Sequence, residues 1–257
     1  MTLLTLTHKQ KELLFLLYRF RFLTISHLQA LFHHTDSRRI RLWLKDLQKQ
    51  NLIQTKYSQE NKKNGERAVY FLTVESREIL KSIKGVIVKE LDKIKREQDR
   101  TEEFVEHSLF ICDIYIRFCE ITQDAKLYFF TKADLPTLSY FFKPYPDEYI
   151  AIEENGIVVK RYFLDIFDEK VKRSKIRKRI ERYVEYFVTN EWEQETNHPF
   201  PSILLIAPDK DMKDYCYRII KAILEEEGGD ISFFVATKKA VKTYGVKKDV
   251  WQKVMVE

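Results

Sequence analysis

The folds open to this chain are limited most by how its apolar residues are spaced over residues 7–73. The segment HKQKELLFLLYRF, starting just after Thr7, carries Leu13, Leu14, Phe15, Leu16, Leu17 and Phe20. That density suits a buried helix. Thr7 stands at its N-cap, and Gln10, three residues on, is placed to close a capping box. A second helix is predicted from Thr24 through ISHLQALFHH, where Ile25, Leu28 and Leu31/Phe32 recur at helical spacing until the polar HHTDS breaks it. Asp36 or Ser37 then caps a third, RRIRLWLKDLQKQ, whose inward stripe is Ile40, Trp43/Leu44 and Leu47. LIQTKYS (52–58) and ERAVYFLT (66–73) are rich in β-branched and aromatic residues and read as two strands joined by the polar turn QENKKNGE. Residues 73–83 supply a closing helix.

Three helices followed by a hairpin is the order of a winged helix-turn-helix, in which the third helix enters the major groove and the hairpin tip lies over phosphates. Arg38, Arg41 and Lys45 fall opposite the apolar stripe with Arg39 beside them, and Lys62, Lys63 and Arg67 cluster at the turn. Exposed arginines are common, so RRIR alone carries little weight. The charge balance adds to it. The whole chain has 45 Lys and Arg against 39 Asp and Glu, a net +6, but residues 1–82 hold 15 against 7. The first third is therefore +8 and residues 83–257 are −2. Such asymmetry is expected of a small module facing a polyanion and joined to a nearly neutral body. Winged helices that bind protein usually lack a basic recognition face. Double-stranded DNA is therefore the expected partner of residues 1–83.

Residues 84–101 alternate charges with few apolar positions and are predicted as a linking helix, in which Ile87, Leu91 and Ile94 form a thin stripe suited to a homodimer seam. From Glu102 a helix through FVEHSLFICDIYIRFCEI has apolar residues on more than one face, as a helix buried on a sheet does. Strands follow at KLYFFTK (126–132), around 148–153 and at IVVKRYFLDIF (157–167), the last two joined by an Asn155-Gly156 hairpin turn. A long basic helix, EKVKRSKIRKRIERYVEYFVTNEW, comes next, with Ile176, Ile180, Tyr183/Val184 and Phe187 as its buried stripe. The strand PSILLIAPD, a helix and the strand ISFFVATK complete residues 102–257. The alternation calls for a mixed sheet with helices on its faces. The fold class is thus α+β: an N-terminal winged helix-turn-helix followed by a restriction-endonuclease-like α/β domain.

Two features of that body bear on chemistry. Pro146-Asp147 opens one strand and Asp165 lies on its hairpin partner, nine residues before and nine after Gly156. Two carboxylates at a strand end could hold Mg²⁺ for phosphodiester cleavage. The order helix, P-D strand, acidic strand and basic helix is that of the PD-(D/E)xK nuclease-like core. Where that motif has its lysine this chain has Phe167, and phenylalanine cannot stabilise charge developing on phosphate. Lys160 and Lys170 are the nearby alternatives. With Asp147, Asp165 and Lys160 as the candidate catalytic set, a fold without catalysis and with no cofactor is the expected case, and a Mg²⁺-dependent nuclease is the alternative. The second feature is the basic helix. Lys170, Lys172, Arg173, Lys175, Arg177, Lys178, Arg179 and Arg182 read either as a solvated face balanced by Glu169, Glu181 and Glu185 or as a second DNA surface that releases counterions.

Other chemistries find no support. There is no P-loop, dinucleotide fingerprint or G-x-S-x-G elbow, and six glycines in the chain leave little room for one. Cys112, Cys119 and Cys216 show no C-x-x-C spacing and are expected as reduced thiols. His107 and His33-His34 fit helix faces and ends better than metal ligation, and Tyr183 and Tyr186 have no H-x-H partner of the kind a relaxase uses. No stretch approaches the roughly 20 apolar residues of a spanning helix, and residues 1–11 lack a leader pattern, so a soluble cytoplasmic protein is expected.

FLTISHLQALF, RRIRLWLKDLQKQNLI, the hairpin, the helix containing His107, PDEYIAIEENG, YFLDIFDE and KIRKRIERYVEYF together resemble the replication-relaxation family of bacterial plasmids and mobile elements, over residues 5–190. Members show P-D, a strand ending in Glu-x-Asp, and a helix with Lys and paired Tyr. This chain keeps Pro146, Asp147, Lys178, Tyr183 and Tyr186; it has Asp165 in place of Glu and Phe167 in place of the second acid, with Asp168 one step late. The resemblance implies DNA binding linked to plasmid replication, mobilisation or their control, with replication or mobilisation proteins as further partners.

Overall fold

The computed structural model describes residues 6–56, 68–227 and 229–256. They form two compact units, Met1–Ile116 and Arg117–Glu257.

In the first unit, helix α1 (His8–Phe20) starts at the expected capping box: the Gln10 amide donates to Thr7 Oγ1 at 3.3 Å and the Thr7 amide to Gln10 Oε1 at 2.9 Å. Leu13, Leu14 and Leu17 are fully buried on one face. Strand β1 (Leu23–Thr24), whose two residues are too few to show a period in the sequence, leads directly into α2 (Ile25–Leu31). Thr24 caps α2 reciprocally with His27, whose other ring nitrogen meets Asp113 at 3.0 Å. Helix α3 (Arg38–Lys49) buries Ile40, Leu44 and Leu47, while Trp43 is half-buried against Phe32 and His34. Its first amide is satisfied by Asp36, whose Oδ1 accepts from the Arg38 amide at 2.8 Å. Strands β2 (Ile53–Lys56) and β3 (Val69–Leu72) pair antiparallel with Ile53 opposite Leu72, and β1 adds to the free side of β3. The order β1-β3-β2 behind three helices is consistent with the winged helix-turn-helix expected here.

After α4 (Arg77–Lys81), residues Val88–Arg96 form consecutive 3₁₀ turns, where a linking α-helix is expected. The reason lies in which positions are buried. Leu91, Ile94 and Glu97 recur every third residue and all three are buried, matching a helix of three residues per turn. Leu91 and Ile94 are therefore spent on the unit's own interior and offer no dimer seam. Glu97 is held by Arg21, whose Nε donates to Oε1 at 2.9 Å. Burial raises the Glu97 carboxyl above its ordinary range although Arg21 opposes the shift.

Helix α5 (Glu102–Ile121) contributes Val105 and Leu109 to a cluster with Phe22, Val69 and Phe71 in the first unit, and Phe118 to contacts with Phe129 and Tyr162 in the second. The second unit is built on a six-stranded mixed sheet in sequence order: β4 (Lys126–Thr131), β5 (Glu148–Glu154), β6 (Ile157–Ile166), β7 (Ser202–Ala207), β8 (Phe233–Thr237) and β9 (Gln252–Lys253). β4, β5 and β6 run antiparallel, β7 and β8 run parallel to β6, and β9 returns antiparallel. SILLIA of β7 is apolar along nearly its whole length because neighbours cover both faces of a central parallel strand. Phe163, Ile203, Leu205 and Val235 pack with helices α6 (Arg173–Val188) and α8 (Lys210–Glu227), with short α7 (Glu191–Thr196) placing Trp192 in the same core. Tyr186 takes the buried place expected of Phe187 on α6. Helix α9 (Lys238–Tyr244) precedes β9.

Candidate functional site

Asn155 and Gly156 have φ of 51° and 81°, the pair of positive values that a two-residue hairpin turn requires. The turn pairs Glu154 with Ile157, and a one-residue bulge between Ile152 and Glu153 then shifts the register so that Glu148 pairs with Leu164 and Asp147 falls opposite Asp165. The two carboxylates do converge: the Asp147 amide donates to Asp165 Oδ1 at 3.2 Å, and Asp147 Oδ2 accepts from the Ile166 amide at 2.7 Å. Both residues are buried.

Two cations already occupy the space between them. β4 pairs Thr131 with Glu148, which puts Lys132 beside Asp147, and its Nζ donates to Asp147 Oδ1. From α6, Arg179 Nε donates to Asp165 Oδ2 at 2.5 Å and its Nη2 to Oδ1 at 3.3 Å, while Nη1 reaches the Pro144 carbonyl at 2.6 Å. Tyr183, one turn further along α6, donates its hydroxyl to Asp165 Oδ2 at 2.7 Å. Burial works against the Arg179 charge, but the Asp165 carboxylate, Tyr183 and Asp147 outweigh it and hold the guanidinium above its ordinary value. Burial also pushes the Tyr183 phenol well above its usual range, so at neutral pH it is a hydrogen-bond donor and not a phenolate.

These residues do not fit a divalent cation. Mg²⁺ prefers an octahedron of oxygens with several waters, whereas each carboxylate here is already neutralised by an internal cation. Among the described residues no group of three or more Asp, Glu, His or Cys side chains is placed to hold a metal. Phe167, at the position of the motif's lysine, is buried in the apolar core. Asp168, the late acid, accepts from Lys238 Nζ at 2.7 Å. Lys160 does not join the carboxylates: five residues before Asp165 on the same strand, it points to the opposite face of the sheet.

Arg179, expected among the DNA-contacting cations of α6, is the exception on that helix, turned inward by Asp165. Lys172, Arg173, Lys175, Arg177 and Lys178 are exposed. Arg177 pairs with Glu181 at 2.6 Å and Arg173 lies over the Tyr215 ring at 5.0 Å. Among the described residues, Lys175 and Lys178 make no ion pair and share one side of the helix with Arg182. On α3, Arg38, Arg39, Arg41, Lys45 and Lys49 are all exposed, with Leu42, 62% exposed, among them. Arg38 leans on Asp36 at 3.3 Å and Arg41 Nε on Ser37 Oγ at 3.1 Å, two contacts within the helix's own first turn. Lys62, Lys63 and Arg67 lie outside the described residues.

The profile of the replication-relaxation family matches residues 14–203. The chain belongs to that family. The match runs from α1 to the start of β7 and so takes in α3, the carboxylate pair and the basic helix α6. No curated protein matches the chain, and no solved structure does. Family membership ties this replication-relaxation protein to the replication or relaxation of plasmids and mobile elements. No helix among its described residues is long and apolar enough to cross a membrane.

Sequence reasoning finds the two carboxylates but misses both of their partners. Lys132 lies fifteen residues from Asp147 and Arg179 fourteen from Asp165. The one available signal was the Arg179–Tyr183 spacing of four, which puts a cation and a phenol on the same face of α6.

Proposed function

We propose that this replication-relaxation protein is a DNA-binding accessory or regulator of plasmid or mobile-element replication or mobilisation, and that it works without cutting DNA. The observation that carries this reading is the row Arg38, Arg41, Lys45 and Lys49 on the exposed side of α3, opposite Ile40, Leu44 and Leu47. The row is acid-poor: Asp46 is the only carboxylate within α3. A helix presenting cations at i, i+3, i+7 and i+11 can follow a phosphate backbone while its first turn reaches base edges. Lys62, Lys63 and Arg67 are the proposed phosphate contacts of the hairpin. Lys172, Arg173, Lys175, Arg177 and Lys178 are a second, non-specific surface.

Each phosphate contact contributes about 0.9 to the slope of log K against log salt. Replacing Arg38, Arg41 and Lys45 together by Ala should therefore lower the slope by up to about 2.7 and weaken duplex binding by roughly two to three orders of magnitude at about 0.1 M salt. Gel-shift titrations at several salt concentrations read both quantities, with the melting temperature as control for folding. Unchanged duplex affinity in the folded triple variant would overturn the reading. The alternative is a Mg²⁺-dependent nuclease at Asp147 and Asp165, against which the cations bound to both carboxylates stand. Plasmid nicking with Mg²⁺ or Mn²⁺ that disappears in both Asp147→Ala and Asp165→Ala would establish it; no cleavage by the unaltered protein is expected.

A further inference from the structure

On the sheet face opposite Asp165, the second unit contains a cavity of about 470 Å³. That volume lies within the usual range of small-molecule sites. Four aromatic residues line it: Phe118 from α5, Tyr162 from β6, Phe234 from β8 and Trp251 just before β9. Phe118 and Tyr162 sit with ring centroids 6.5 Å apart and planes tilted by 42°; Phe118 is buried, whereas Tyr162 and Trp251 are half-buried. Lys160, Lys248 and Lys253 complete the wall, and no acidic residue is among the lining residues. None of these lysines makes an ion pair among the described residues. Three lysines without counter-ions around an aromatic-walled hollow lack only a ligand that is flat on one side and anionic on the other.

We infer that this cavity binds a nucleotide unit, its base lying against Tyr162 and Trp251 and its phosphate held by Lys160, Lys248 and Lys253. Base–aromatic stacking tolerates any sequence because every base has a π-face, and lysines bind phosphate as point charges. No residue assigned to the Asp147–Asp165 pair or to α3 lines this cavity, so the inference stands apart from the duplex-binding reading. The nucleotide has two sources, a free mononucleotide or one residue of a single strand, such as replication or relaxation exposes.

The test uses the full chain, dTMP and a short oligothymidylate, followed by tryptophan fluorescence. Both probes are expected to quench; the chain has three tryptophans, and Trp251→Phe should remove most of the signal. The triple variant Lys160→Ala, Lys248→Ala and Lys253→Ala should weaken binding about tenfold or more at low salt with its melting temperature kept. Arg38→Ala, Arg41→Ala and Lys45→Ala should leave dTMP binding unchanged, so loss of duplex binding and loss of nucleotide binding are read separately. Binding of dTMP identifies a free-nucleotide site, and binding of the oligothymidylate alone a single-strand site. The inference is overturned if neither probe binds, or if the lysine variant binds both as tightly as the parent.

Discussion

Replacing Arg179 by Met should destabilise the second unit severely, and the structure fixes how severely. The Asp165 and Arg179 side chains are 9% and 10% exposed, and they meet through two nitrogens and two oxygens. Removing one partner of a pair this buried leaves an uncompensated charge, at a cost of about 3–5 kcal/mol. Two features pull the value towards the lower end. Tyr183 and the Asp147 amide still donate to Asp165, and Lys132, 53% exposed, remains beside Asp147. Met also keeps much of the aliphatic volume against Phe142 and Tyr183, over whose rings the guanidinium lies at 5.0 and 4.7 Å. A loss of about 3 kcal/mol corresponds to roughly 6–12 °C in melting temperature for a unit of this size. Adding Asp165→Asn removes the stranded charge, so the double variant should recover much of the loss, with a coupling of about 2 kcal/mol. Urea denaturation followed by the fluorescence of Trp192, which is buried in the same core, measures all four corners of the cycle. Additive losses, or a single Met variant within about 1 kcal/mol of the parent, would show that the pair is not the internal lock described above.

The same lock predicts that calorimetric titration with Mg²⁺ or Mn²⁺ gives no saturable heat in the unaltered protein; a stoichiometric binding isotherm abolished by Asp147→Ala would contradict it. In the first unit, the raised carboxyl of Glu97 favours the folded state most when protonated: its contribution is full below the unfolded value near 4.5 and is lost as pH rises through the higher folded value. Glu97→Gln removes that titration, so the variant should fall behind the parent in melting temperature as pH drops into this window; a difference that grows in the opposite direction refutes the assignment.

Much of this architecture was legible because it depends on neighbours in sequence. Thr7 and Gln10 are three residues apart, Asn155-Gly156 is a dipeptide, and the helical stripe of Ile40, Leu44 and Leu47 lies within two turns. The order of strands and helices after residue 102 follows from the same local periods, although α7, α9 and the two-residue β9 are too short to announce themselves. The 3₁₀ stretch is hidden in the sequence for a related reason. Leu91 and Ile94 fit a spacing of three as well as a helical stripe, and only the burial of Glu97 tells the two periods apart.

The candidate site divides along the same line. Asp147 and Asp165 could be brought near one another on paper because the Asn155-Gly156 turn folds β5 back on β6, although the bulge between Ile152 and Glu153 is what sets them directly opposite. Their neutralisation could not, since Lys132 arrives through the register of β4 on β5 and Arg179 through the packing of α6 on the sheet. A motif read along the chain therefore records the missing lysine at Phe167 as a gap, whereas the fold supplies two cations from other elements. The cations that close the carboxylate pair are bound to it directly, which leaves neither oxygen set for an ion and neither cation for a phosphate. The lysines on the far face of the same sheet are in the opposite condition, exposed beside aromatic rings and without carboxylates, and any affinity of the second unit for nucleic acid is more economically placed there and along α6 than at the acids that first draw attention.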